Sequence, residues 1–160
     1  MPTDQTSFSS PDTFTSEETT RGICVQVRAK YSPEHSDPPR QLWRFIYTVT
    51  ITNESTEKVQ LVSRHWTITD AANHVEEVKG LGVIGRQPTL SPGESFEYSS
   101  NCPLRTPFGT MHGTYQMITS DGTRFDATIA EFTLSGPYLS LIHISEPTRR
   151  TPISYAVFCL

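Results

Sequence analysis

The chain is short of cysteine, of basic charge and of long apolar runs, and each shortage removes a class of protein. Its three cysteines, Cys24, Cys102 and Cys159, stand far apart with no Cys-x-x-Cys pair, which argues against a disulfide scaffold, a zinc knuckle and a thioredoxin-like redox motif. Thirteen Lys and Arg against seventeen Asp and Glu give a formal charge of -4, so no basic field exists to hold nucleic acid or an anionic lipid surface. No apolar run approaches the roughly 18 residues that a membrane helix needs, and the start has neither the basic patch nor the apolar stretch of a secretory leader. These shortages predict a soluble, cytoplasmic protein with no nucleic-acid or membrane partner. Helical periodicity is missing too.

What is present fits one domain of ordinary size: 160 residues, 35% of them apolar and 19% charged. The two ends stand apart from it. Residues 1–20 are dominated by Ser, Thr, Pro and acids, with Asp4, Asp12, Glu17 and Glu18 facing no base, and are expected to form a disordered acidic arm. At the other end the patterned chain closes at Phe132, Leu134 and Gly136-Pro137-Tyr138. Residues 139–160 resemble translated sequencing-adapter sequence, with Leu139 to Arg149 matching one adapter piece and Ile153 to Leu160 the next in the same frame. Arg150, Thr151 and Pro152 fill the place of a variable index, and the segment is set aside as an artefactual tail. The domain is therefore expected over residues 21–138, where acids and bases nearly balance and Cys24 and Cys102 are ordinary thiols.

Within that span the patterns are those of strands. Ile23, Val25, Val27 and Ala29 alternate with polar residues, and Trp43, Phe45, Tyr47, Val49 and Ile51 do so more strongly. A long strand over Lys58 to Thr69 changes phase near Ser63, which predicts a β-bulge. Short strands are expected around Val75 to Val78 and Ser95 to Ser99, and Thr114 to Thr119 and Arg124 to Leu134 are joined by a hairpin at Asp121-Gly122. About seven strands, with no helix, predict an all-β antiparallel sandwich of immunoglobulin or fibronectin type III character.

Gly80-Leu81-Gly82-Val83-Ile84-Gly85 reads G-x-G-x-x-G, the dinucleotide fingerprint, but Pro88 and Pro92-Gly93 follow where that site needs a helix N-terminus. No dinucleotide cofactor is expected. The reading left is a loop able to nest a small anion, pyrophosphate or a nucleotide through Gly80, Gly82 and Gly85, with Arg86, Lys79, Arg64 and His65 supplying charge nearby. The plainer reading is tight backbone packing by the glycines. His35, His65, His74 and His112 with Asp70, Glu76 and Glu77 hold donor atoms for a divalent metal but lack ligand spacing, so no metal site is assigned and direct divalent-metal binding stands only as an alternative function. Glu76-Glu77 reads as a solvated strand edge, and His65 as a hydrogen-bonded residue packed in the core beside Trp66. Ser63, His65 and Asp70 are close in sequence without the order of a relay, and no catalytic residue is expected.

Three segments, Arg64 to Asp70 (RHWTITD), Val78 to Ser100 (VKGLGVIGRQPTLSPGESFEYSS) and Thr106 to Met117 (TPFGTMHGTYQM), make the chain resemble the ApaG family from about residue 23 to 137. The resemblance implies a fibronectin-like sandwich, small bacterial proteins or a domain attached to eukaryotic F-box proteins, and a link to cobalt and magnesium efflux. On both grounds the expected function is a non-enzymatic binding module for a protein or small anionic ligand. It would act through the Gly80–Pro92 and Thr106–Gly113 segments, the second of which reads equally as a packed corner because Phe108 and Met111 suit burial or contact, with a homodimer through sheet edges open.

Overall fold

The computed structural model describes residues 13–136. Its elements are β1 (Thr13–Thr20), β2 (Ile23–Tyr31), β3 (Trp43–Asn53), β4 (Val59–Asp70), β5 (Val75–Leu81), β6 (Thr89–Leu90), β7 (Ser95–Leu104), β8 (Phe108–Thr119) and β9 (Arg124–Ser135), with two single 3-10 turns between β2 and β3. The expected alternation holds where it was strongest. Trp43, Phe45, Tyr47, Val49 and Ile51 of β3 are all buried, and the residues between them are half-buried.

One sheet runs β1-β2-β3-β7 and the other β5-β4-β8-β9, with the two-residue β6 beside β4; every pairing is antiparallel. The chain is thus an antiparallel β-sandwich. Its core joins the inward rows of both sheets, from Ile23, Val25 and Phe45 on one side to Trp66, Tyr115, Met117 and Leu134 on the other. Trp66 meets Tyr47, Tyr115 and Phe132 edge-on at the centre. The register of β4 against β8 shifts between Leu61 and Ser63, where the change of phase predicted a bulge. Asp121-Gly122 closes the β8–β9 hairpin, with Gly122 at φ +90° donating its N–H to Thr119 O.

Four expectations need correction. The arm expected over residues 1–20 is a strand from Thr13 to Thr20, because its backbone finds a full register against β2 where its side chains offer little to bury; residues 1–12 and 137–160, including the adapter-like tail, lie outside the described residues. The described residues hold nine strands, two more than the seven expected, through β1 and the short β6. The strand expected at Val75 to Val78 continues to Leu81, so Gly80 pairs with Arg64 in a ladder and is not in a loop. The strand expected from Thr114 begins at Phe108, so most of the Thr106–Gly113 segment belongs to β8 and takes its packed reading: Met111 is buried, and a side chain at Gly113 would press on His65 O of the neighbouring strand.

The flanks of the sandwich differ. On one, Ser16 Oγ donates to Ala130 O at 2.8 Å and Thr128 N donates to Thr20 Oγ1 at 3.1 Å, so β1 and β9 are tied across the sheets. On the other, β5 and β7 are the outer strands of their sheets.

Candidate functional site

The residues singled out around the glycine-rich segment gather at this second flank, on two faces of one ladder. Val78 packs on the core, so the alternate positions Val75, Glu77, Lys79 and Leu81 of β5 point outward. Opposite them across the β4–β5 ladder, His65 pairs with Lys79 and Ser63 with Leu81. Ser63, His65, Lys79, Leu81 and Gln116, with Arg64 and Gly80 beneath, line a shallow hollow of about 480 Å³ on the outer face.

Each polar group there has a particular engagement. His65 Nε2 lies 2.7 Å from Glu77 Oε1, and Ser63 Oγ donates to Gln116 Oε1 at 2.8 Å. His65 therefore sits half-exposed on the outer face, hydrogen-bonded as expected but not packed in the core. Lys79 has no carboxylate partner among the described residues.

Arg64 faces the other way. Its ladder partners are Gly80 and the buried Tyr115, and its guanidinium donates to Leu81 O at 3.1 Å and Gly82 O at 2.7 Å. A Cβ on Gly80 would stand 2.8–2.9 Å from that guanidinium, so the glycine makes room for the arginine to cross the strand.

Beyond β5 the chain turns tightly at Val83-Ile84-Gly85-Arg86, with Ile84 at φ 42° and Gly85 at φ 77° and both outer residues exchanging backbone hydrogen bonds. Gly82 N donates to Val62 O and Val83 N to Arg86 O. Those donors serve the fold, and Gly80 and Gly82 pack closely, against the Arg64 guanidinium and Arg86 O, whereas Gly85 supplies the positive φ of the turn with open space around it. The Arg86 guanidinium lies 5.4 Å from the centre of the Phe96 ring on the opposite sheet, away from Lys79 and His65. The structure thus brings Arg64, His65, Lys79 and Gly80 to one hollow, and places Gly82, Gly85 and Arg86 in the turn beside it.

The remaining donors are dispersed. His74 Nδ1 stands 4.0 Å from Asp70 Oδ2, His112 Nδ1 3.8 Å from Glu131, and His35 bonds Ser32. Among the described residues no group of three His, Cys, Asp or Glu side chains could share a metal ion. Asp70 Oδ1 accepts from Ala72 N and His74 N, capping its own turn and standing apart from Ser63 and His65.

A second recess, about 500 Å³, escaped the sequence reading. It opens between the sheets at the same flank and is lined by Arg40, Asp70, His74, Glu76, Leu104 and Arg105, among others. These residues come from separate segments with no shared motif, so no local pattern announced them. Exposed apolar side chains also concentrate along the flank: Val75 and Leu81 on β5 and Ile84 in the turn are 60%, 75% and 56% exposed.

Comparison with known proteins agrees with this architecture. Residues 33–119 match the ApaG domain. A protein named ApaG from Bordetella pertussis is 53% identical over 115 residues, covering 72% of this chain and 88% of that protein. One of the same name from Thiobacillus denitrificans is 56% identical, with 72% and 91% covered. A crystal structure of the ApaA protein from Bordetella pertussis superposes with a TM-score of 0.70 at 53% identity, covering 72% of this chain and 94% of that one. None of these names states an activity.

Proposed function

Because the chain belongs to the ApaG domain family, whose similar members carry no enzymatic name, we propose that it is a non-enzymatic binding module whose β5 edge accepts an extended segment of a partner protein. The observation that carries this reading is the state of the edge. β5 is seven residues long, is the outermost strand of its sheet, contains no proline, and displays Val75 and Leu81 in the open. Apart from Leu81 O, which already accepts from Arg64, the edge offers a row of N–H and C=O groups to an incoming strand, and alternate outward side chains read that strand's sequence. Lys79 and the neighbouring hollow favour an acidic group on the partner, and Val75 and Leu81 favour apolar ones.

The other edges are less open. β7 carries Pro103, which cannot donate to a ladder, and Arg86 lies over its Phe96. β1 and β9 are tied to each other. A small anion in the hollow beside Lys79 is the second reading, supported by that ammonium group having no carboxylate partner among the described residues. The link to cobalt and magnesium efflux implied by family resemblance would be exercised through the bound partner.

The test is selection from a displayed library of extended peptides, followed by hydrogen exchange on the complex. Selected peptides should set apolar residues opposite Val75 and Leu81, a base opposite Glu77 and an acid opposite Lys79, protect amides of Val75–Leu81, and lose at least tenfold in affinity with Leu81→Lys. Protection confined to another segment would refute the reading.

A further inference from the structure

We infer that the strand β5 accepts is β5 of a second copy of this chain, paired antiparallel about a two-fold axis through Val78. This rests on β5 being the docking edge and names its occupant. The axis sets Val75 against the partner's Leu81, Glu77 against the partner's Lys79, and Glu76 against the partner's Gly80, each twice.

The outward row then holds two apolar pairs at its ends and two acid–base pairs inside them, covering the two apolar side chains that β5 leaves most exposed. On the inward side the match is less obvious and as close. Gly80 has no side chain, and the Arg64 guanidinium lies within 2.9 Å of where its Cβ would stand, so the partner's Glu76 comes opposite an arginine bonded to two carbonyls but to no carboxylate among the described residues.

The same residues reject the neighbouring registers. A continuous sheet keeps outward positions opposite outward positions, so the axis moves only in steps that preserve the faces. Moving it to Glu77 or Lys79 places two acids or two ammonium groups directly opposite each other at the axis. The acid pair Glu76-Glu77 thereby repels a strand without matching bases while leaving self-pairing permitted.

The charges supply the test. In sedimentation velocity on the full chain over a wide concentration range, the wild type should show a reversible monomer–dimer equilibrium. Glu77→Lys and Lys79→Glu should each weaken it at least tenfold, since either sets like charges opposite each other twice. The double reversal should restore it, and an equimolar mixture of the two single variants should form a heterodimer. Both positions are exposed, so circular dichroism should be unchanged.

A wild type that stays monomeric into the millimolar range, or a dimer indifferent to the reversals, overturns the inference. If such a monomer still binds a selected peptide along Val75–Leu81, only the second copy as occupant is wrong. If it binds none there, the docking edge falls with it.

Discussion

Asn53 shows how much a single polar side chain can hold. It is fully buried at the end of β3; its Nδ2 donates to Glu57 O at 2.8 Å and Leu90 O at 2.9 Å, and its Oδ1 accepts from Ser55 N and Oγ. Replacement by alanine removes all four bonds and leaves two carbonyls facing a void. Asn53→Ala should therefore cost about 3 kcal/mol in a urea titration, whereas Glu54→Ala, exposed one residue on, should cost almost nothing. The sequence suggests turn chemistry at this position but not its reach, because the partner carbonyl of Leu90 is 37 residues away. Arg64 is similar: its composition says charge, while its use depends on a glycine across a ladder that only the fold creates.

Among the elements, strands that bury apolar rows were legible and strands that do not were obscure. β3 declares itself through five buried alternating side chains. β1 has none buried, and is held instead by its ladder to β2 and by cross-sheet bonds from Ser16 and Thr20. Its hydrogen-bonding energy leaves no trace in hydropathy. The extension of β5 through Gly80 was obscured in the same way, because a glycine there looks like a loop residue.

β1 has a measurable consequence at Cys24. The Cys24 thiol is buried and raised above its ordinary range, chiefly by desolvation, and its Sγ lies 3.7 Å from Glu17 Oε2 on β1. Deleting residues 1–20 should expose it to a thiol reagent in the folded protein, raising its labelling rate at least tenfold by peptide mass. Cys102, pushed up to about 12 by burial, should remain unlabelled.

For the whole molecule, the packed aromatic centre fixes how stability responds to alkali. Burial holds the Tyr47, Tyr98 and Tyr115 hydroxyls above the ordinary tyrosine value near 10, and Tyr98 and Tyr115 bond each other. Below that value folded and unfolded chains carry the same protons on these groups. Above it the unfolded chain releases protons that the folded chain keeps, so stability falls as pH rises through about 10 and toward the folded values. A urea midpoint independent of these tyrosines below pH 9 should drop steeply above pH 10. Tyrosinate absorbance from the three should appear together with unfolding, and Tyr98→Phe should flatten the slope.

At this scale the sandwich was plain from sequence, since strand period and turn spacing determine it together. The site was only half legible. Arg64, His65, Lys79 and Gly80 meet because β4 and β5 are neighbours, whereas Arg86 was expected among them and turns to Phe96.

The unequal flanks also bear on how the molecule could loosen without unfolding. With β1 and β9 laced together by backbone-to-hydroxyl bonds, and the opposite margin closed by side chains alone, among them Arg86 over Phe96 and the Tyr98–Tyr115 pair, the two sheets resemble the covers of a book bound along one spine. Solvent would enter from the fore-edge, wetting the tyrosine centre from the Arg64 side long before the spine gives way.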